Sequence, residues 1–128
     1  MCARVKAAIF EIFGKTLPPI TNVAKSTEIV AWKQKPSVSN CFRKLFDKID
    51  ENEEDTYMTR IIKNVWPKQK DISNLQVAWA VSITEIFLDP RTAGIQMSEA
   101  ILQPLLAKNL VSKFYIISDF KISKTNKL

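Results

Sequence analysis

The sequence contains no histidine, only two glycines and only two cysteines in 128 residues. Without histidine, the Ser-His-Asp and Cys-His nucleophile arrangements and every histidine-containing zinc site are excluded. The scarcity of glycine argues against nucleotide-binding glycine loops and most all-β folds. Cys2 and Cys41 are too few for a disulfide framework or a four-cysteine metal site, and no run reaches the roughly 20 apolar residues of a membrane-spanning helix. We therefore predict no catalytic site, no metal, no cofactor and no membrane association.

The composition is that of an ordinary globular domain. Hydrophobic residues make up 46% of the chain and charged residues 25%, and the length is that of a single domain. The formal net charge is +6, but the basic residues are scattered among apolar ones along both halves of the chain. A surface that tracks phosphates is expected to carry a basic patch or stripe. The charge distribution therefore does not favour nucleic-acid binding.

Residues 1–30 are predicted to form an N-terminal arm or a degenerate signal segment. Residues 1–14 fit a short amphipathic helix ended by Gly14, because Glu11 interrupts the apolar core that a secretory signal requires. Residues 15–36 are expected to be irregular, since Pro18-Pro19 stops a helix and favours an extended chain.

Residues 31–122 predict an all-α bundle domain. Helix one begins at Pro36, which suits a first helical turn. Its apolar residues recur at three-and-four spacing: Val38, Cys41, Phe42, Leu45, Phe46 and Ile49. Helix two ends at Pro67 and has one apolar face: Met58, Ile61, Ile62, Val65 and Trp66. Helix three opens near Asp71, a suitable N-cap, runs to about Leu88 and is apolar nearly all round, so we expect it to be central and buried.

The C-terminal third predicts a fourth helix and an ambiguous last segment. Helix four is expected from about Ser98, and Pro104 must kink it or delay its start. Its inward residues are expected to be Ile101, Leu102, Leu105, Leu106 and Leu110. Residues 113–122 fit a strand by composition and a helix by docking on a bundle. Residues 123–128 are expected to be a frayed tail.

The densest charge lies in residues 47–55, which we call the acidic segment. It contains three candidate site residues, Glu53, Glu54 and Asp55. The spacing lacks the glycine and the final glutamate of a calcium loop, so an exposed turn is favoured over a metal site. Lys68 and Lys70 follow helix two, and a helix of about 12 residues would separate the two clusters by roughly 18 Å. We therefore predict two poles of opposite sign, which can steer a partner of complementary charge.

Glu85 lies among apolar residues near the end of helix three. Desolvation and a nearby helix C-terminus both favour its neutral carboxylic acid form. The alternative is a carboxylate that reaches water through a narrow polar slot, and both interpretations stay open. The tryptophans are expected in or near the core: Trp32, Trp66 and Trp79. Cys41 is expected to be a buried thiol and not a nucleophile.

Helix three also carries a resemblance to a known family. From Ala78 to Phe87 the sequence reads AWAVSITEIF, which resembles the AFASSMAEIA stretch of spider silk protein (spidroin) N-terminal domains. Leu75-Gln76 resembles the L-Q ahead of that stretch, displaced by two or three positions.

The likeness extends over roughly residues 31–120 in the same order. Trp32 followed by Pro36, and then Phe42 to Phe46, are similar to the W-x-x-P and F-x-x-x-F of the family's helix one. The spacing of its helix two is matched by Met58, Ile61 and Val65. The start of its fourth helix is similar to the stretch from Ser98 to Leu105.

The resemblance implies a single-domain five-helix bundle behind an irregular arm, secreted into the silk gland lumen. Such domains keep silk proteins soluble near neutral pH and form antiparallel homodimers on acidification. In that family a dipolar surface brings the subunits together and protonation of glutamates locks the pair. Glu85 falls on a matching glutamate position, and Trp32 becomes a reporter of repacking in helix one.

The chain also departs from the family pattern. Tyr57 replaces the helix-two aspartate, although Asp55 is nearby. The family's lysine ahead of helix three falls near Asp71, with Lys68 and Lys70 close, and its helix-five glutamate has no counterpart. An alternative from a different class is an intracellular, cytoplasmic helical module that binds a protein or nucleic acid through its basic faces. Cleavage of the first ~20 residues on secretion would distinguish the two.

Overall fold

The computed structural model describes residues 2–20, 24–92, 94–95 and 98–112. These ranges contain six α-helices: α1 (Cys2–Phe13), α2 (Ser26–Gln34), α3 (Pro36–Arg43), α4 (Tyr57–Val65), α5 (Asn74–Leu88) and α6 (Glu99–Ser112). A 3₁₀ turn follows α1, and the β-pairing in these ranges is limited to one isolated bridge between Lys48 and Thr56. The predicted all-α class is confirmed for this part of the chain. The number and bounds of the helices differ from the expected five-helix bundle.

The first helix is part of the core and is not a detached arm. Val5, Ala8 and Ile9 are fully buried, and α1 packs against both α4 and α5. The helix ends, as predicted, where Gly14 takes a positive φ of 57°, a conformation that glycine adopts without steric cost. A helix that contributes fully buried side chains to the shared core belongs to the bundle.

The irregular stretch expected over residues 15–36 is interrupted by α2. This helix begins at Ser26, one residue after the extended Lys25, and Glu28 in its first turn suits the positive end of the helix dipole. Pro18-Pro19 does prevent helix formation, but only in the segment that leads to α2. Two buried side chains of α2, Trp32 and Lys33, fix it to the rest of the molecule.

Helix one of the sequence prediction is shorter than expected. It begins at Pro36 as predicted but ends at Arg43, and the chain then turns. The N–H of Met58 donates to the carbonyl of Leu45 at 2.9 Å, and the N–H of Tyr57 donates to Asp47 at 3.2 Å. These bonds return the chain directly to the start of α4, so Ile49 lies beyond the helix.

Helices α4 and α5 each begin with a capping box. In α4 the pair is Thr56 and Thr59. In α5 the hydroxyl of Ser73 accepts from the Gln76 N–H at 3.1 Å, and the Gln76 side chain accepts from the Ser73 N–H at 2.9 Å. The prediction that Asp71 is the N-cap is therefore wrong. Ser73 and Gln76 together accept from two backbone N–H groups at the start of the helix, whereas a single aspartate side chain would accept from one.

Helix α5 is enclosed by its neighbours, as its composition predicts. Packing partners surround it: α1, α3, α4 and α6. Its two buried hydroxyls bond within the helix, Ser82 to the carbonyl of Ala78 and Thr84 to that of Ala80, both at 2.7 Å. The helix therefore buries polar atoms without leaving these hydroxyls unpaired.

Helix α6 begins one residue after the predicted Ser98 and contains Pro104 within its length. Leu102 and Leu106 are buried, whereas Ile101 is 42% exposed and Leu110 is 37% exposed, contrary to the sequence prediction. The inward face of α6 instead includes Asn109, which is fully buried seven residues after Leu102. The predictions for residues 113–122 and 123–128 lie outside the described residues.

The position of α1 gives a direct test of the fold. Ile9→Ala should lower the free energy of unfolding by about 2–5 kcal/mol, because it removes a fully buried side chain and leaves a cavity. Glu11→Ala, on the exposed side of the same helix, should change it by less than about 0.5 kcal/mol. Urea denaturation followed by circular dichroism measures both. Equal and small effects would show that α1 is outside the core.

Candidate functional site

The acidic segment is held by cations of α4. Glu53 accepts from Arg60 at 2.5 Å, and Asp55 accepts from Lys63 at 2.9 Å and lies 3.4 Å from Arg60. Burial on its own would raise the pKa of Asp55, but the hydrogen bond and charge of Lys63, together with Arg60, lower it. Asp55 is therefore a structural carboxylate of this turn.

The remaining acids of the segment face solvent. Asp47, Asp50, Glu51 and Glu54 are exposed. They lie at one end of α4, and Lys68 and Lys70, also exposed, lie beyond its other end. Because α4 has nine residues, its own length is about 13 Å, shorter than the 12-residue helix assumed from the sequence. Both charge clusters are exposed, the helix between them is shorter than expected, and Arg60 and Lys63 partly neutralise the acidic one.

Glu85 belongs to a polar contact between α5 and α6. Its side chain is half-buried, and its Oε1 accepts from Nδ2 of Asn109 at 2.9 Å. The same Nδ2 donates to Oγ of Ser82 at 2.8 Å. Asn109 therefore joins two side chains of α5 from a fully buried position. Glu85 therefore has an amide donor on one side and partial access to solvent.

Two buried polar atoms remain without a hydrogen bond among the described residues. They are Nε1 of Trp79 and Oδ1 of Asn109. The positive group nearest in sequence to Glu85 is Arg91, whose pKa is raised by the hydrogen bonds and charge of Asp89 and, to a smaller degree, by the charge of Glu85. Among the described residues, Asn109 thus donates to Glu85 and Arg91 is a cation whose charge interacts with it.

Trp32 lies where a change of packing would alter its fluorescence. Its side chain is 3% exposed, and its Nε1 donates to the carbonyl of Pro18 at 2.9 Å. Its ring lies 5.3 Å from that of Phe87 in α5. The other tryptophans, Trp66 and Trp79, pack against the core as predicted. Cys41 is buried, as predicted, and burial raises the pKa of its thiol.

Lys33 is the buried charge that the sequence did not indicate. Its side chain is 0% exposed. Nζ donates to the carbonyl of Ile86 at 2.6 Å, to Oγ1 of Thr92 at 2.5 Å and to the carbonyl of Gly94 at 2.5 Å. Burial lowers the pKa of Lys33 to about 8, although the charge of Asp89 acts in the opposite direction. The ammonium therefore closes the C-terminal end of α5, where carbonyl oxygens favour a cation.

Asp89, the carboxylate whose charge acts on Lys33, is hydrogen-bonded to Arg91. Asp89 accepts from the backbone N–H of Arg91 at 2.9 Å and from its guanidinium through two bonds of 3.0 Å. Burial would raise the pKa of Asp89, but these bonds and the charge of Arg91 lower it. Lys33 is thus bonded to neutral oxygens, and no carboxylate in the described part of the chain forms an ion pair with it.

Comparisons with protein families, with characterised proteins and with solved structures found no match to this chain. Within the described ranges, no three acidic or cysteine side chains come together as a group that could hold a metal ion. None of the helices in those ranges is long and apolar enough to cross a membrane.

Lys33 has a testable effect on stability. Its pKa is lower in the folded chain than in the unfolded chain, where a lysine titrates near 10.4. Between about pH 8 and pH 10.4 the unfolded chain therefore binds more protons, and the free energy of unfolding should rise by about 2–3 kcal/mol across that range. Denaturation at a series of pH values measures the rise.

Two variants isolate the contribution of Lys33. Lys35→Met, at an exposed neighbouring position, should keep the rise. Lys33→Met should lose it, and if that variant does not fold, the carbon resonances of the wild-type lysine side chains give the same information. A Lys33 that titrates near 10.4 in the folded chain would contradict the assignment.

Proposed function

We propose that this chain is a non-catalytic self-association domain of the type found at the N-terminus of spider silk proteins. It forms an antiparallel homodimer, keeps the attached protein soluble while monomeric, and acts outside the cell after secretion. The observation that carries this proposal is the exposure of opposite charges beyond the two ends of α4: acids such as Glu54 at one end and Lys68 and Lys70 at the other.

In an antiparallel dimer the opposite charges of the two subunits face each other. In a two-fold symmetric dimer each contact is made twice, so the acidic segment of one subunit faces Lys68 and Lys70 of its partner, and the reverse. Charge complementarity of this kind raises the rate of encounter and sets the orientation of the subunits. Leu75, which is 55% exposed at the start of α5, adds apolar surface a few residues from Lys70.

The positions of the resembling residues also support the proposal. Their motifs lie on successive helices, from α2 and α3 through α4 and α5 to α6. The stretch from Ala78 to Phe87 lies in α5, the enclosed helix of the bundle. A helix with this environment tolerates few polar residues, so Glu85 is an unusual residue to find there.

Glu85 is the proposed proton-sensitive residue of the dimer. Since the chain has no histidine, a response between pH 7 and 5 depends on carboxylates. A subunit that covers half-buried Glu85 removes its remaining water, which is costly for the charged form and much less costly for the neutral form. Dimerisation is therefore favoured as pH falls.

Salt and charge reversal test the electrostatic part of the proposal. Raising the ionic strength from about 0.01 M to 0.3 M shortens the screening length from about 30 Å to below 10 Å and should weaken association. Glu54→Lys should weaken it by roughly 5- to 30-fold at low salt, because an exposed pair contributes about 0.5–1 kcal/mol and occurs twice in the dimer. Sedimentation velocity measures the dissociation constants.

The matched control is Glu28→Lys, which makes the same charge change at an exposed position of α2. It should leave association close to that of the wild type. Reversal at Glu53 or Asp55 is less suitable, because both carboxylates bond to α4 within the subunit. Association that is indifferent to salt and to Glu54→Lys would reject the charged poles as its cause.

Substitution of Glu85 tests the response to protons. Glu85→Gln should dimerise at pH 7 as the wild type does at pH 5.5, because glutamine keeps the oxygen that accepts from Asn109 and removes the charge. Glu99→Gln, at an exposed position of α6, is the control and should keep the wild-type pH dependence. Sedimentation at both pH values gives the oligomeric state, and Trp32 fluorescence reports repacking. A wild type that stays monomeric at pH 5.5 in low salt would overturn the switch.

A further inference from the structure

A cavity of about 440 Å³ opens between α2, the end of α5, the segment that follows it and α6. Its walls are mainly branched apolar side chains: Ile29, Ile95, Ile101 and Leu105. The volume lies within the range of small-molecule sites, about 300–1,000 Å³. A pocket of this size admits a small molecule and is too small for a folded partner or a helical peptide.

One part of the lining is polar and lies directly against the buried ammonium of Lys33. Thr92, Gly94 and Ile86 line the cavity, and the same three residues supply the oxygen atoms that bind Nζ of Lys33. The remaining hydroxyl of the lining belongs to Ser26, at the start of α2. The cavity therefore has apolar walls and a hydroxyl-bearing region with a cation immediately behind it.

Among the described residues, no carboxylate forms an ion pair with this cation. Its bonding partners are carbonyl and hydroxyl oxygens, and Asp89 is engaged by Arg91. A buried charge without a counter-ion is costly, and an anion brought close to it through a region of low dielectric is attracted more strongly than in water. The cavity thus has a positive charge behind one wall, which attracts an anion, and apolar walls elsewhere, which favour a hydrocarbon chain.

We propose that the cavity binds a medium-chain fatty acid carboxylate. The alkyl chain lies along the isoleucine and leucine walls, where burial of each methylene is favourable. The carboxylate accepts from the Ser26 hydroxyl, on the cavity side of the residues that hold Lys33, because the Thr92 hydroxyl already donates to the carbonyl of Asp89 at 2.9 Å. A cationic amphiphile would meet the ammonium as a like charge, and a neutral one would gain from the walls alone. This site does not depend on the proposed dimer.

The probe is decanoate, compared with decanol and decyltrimethylammonium at pH 7 below their micelle concentrations. Decanoate should bind one site per chain at least about tenfold more tightly than decanol, and the cation should not bind. Affinity should rise about fourfold per methylene from octanoate to dodecanoate. Isothermal titration calorimetry measures these constants. Equal affinity for decanoate and decanol, or no saturable binding of decanoate, would overturn the proposal.

A pH series tests Lys33 without a substitution. From pH 7 to 9.5 the carboxylate of decanoate stays ionised, while Lys33, whose pKa is about 8, loses its charge. The affinity for decanoate should fall about tenfold, and that for decanol should stay constant. A decanoate affinity that is flat over this range would show that Lys33 does not attract the ligand.

Two tryptophan substitutions on α6 locate the site. Ile101→Trp fills the cavity from a wall residue that is already 42% exposed, so the fold should tolerate it, and decanoate binding should be lost. Val111→Trp adds the same side chain on the same helix at a position that is 78% exposed and outside the cavity lining. It should bind decanoate as the wild type does. Circular dichroism confirms that both fold, and retained binding by Ile101→Trp would place the ligand elsewhere.

Discussion

A helix that is apolar on every side must be enclosed, and α5 imposes this constraint on the whole molecule. Its composition leaves no side that is stable in water, so α1, α3, α4 and α6 pack around it. The chain meets this requirement with short helices, two of which precede Pro36. The N-terminal helix is therefore a necessary wall of the core, because without α1 part of α5 and α4 would face solvent.

The enclosure of α5 also determines how its polar atoms are satisfied. The hydroxyls of Ser82 and Thr84 donate hydrogen bonds to backbone carbonyls of α5 itself. Asn109 reaches across from α6 to Ser82 and Glu85, and Lys33 reaches from α2 to the carbonyl of Ile86. These hydrogen bonds are thus made within α5 or to a neighbouring helix, as the cost of an unpaired buried group requires. Among the described residues, Nε1 of Trp79 and Oδ1 of Asn109 are the buried side-chain atoms that remain without a partner.

Local patterns in the sequence predict most of the helices but not the contacts between them. Three local patterns are strong signals: the apolar spacing of α4, the proline at position 67 that follows it, and the continuous apolarity of α5. They predict these two helices correctly. Helix α2 has little periodicity, so it is held by the burial of Trp32 and by the hydrogen bonds of Lys33, which no local pattern shows. The inward position of Asn109 had one available signal, its spacing of seven residues from Leu102. Lysine is rarely buried, so the sequence did not indicate the burial of Lys33.

The burial of Lys33 also makes its amine a reporter of local opening. An amine at 0% exposure that is bonded to oxygen atoms of three residues cannot meet an acylating reagent while the end of α5 and the following segment stay closed. Once that segment opens, its chemical reactivity equals that of any lysine in water. The rate at which Lys33 is labelled relative to exposed Lys35 therefore measures how often α2 separates from the end of α5, a motion that can occur without unfolding of the whole bundle.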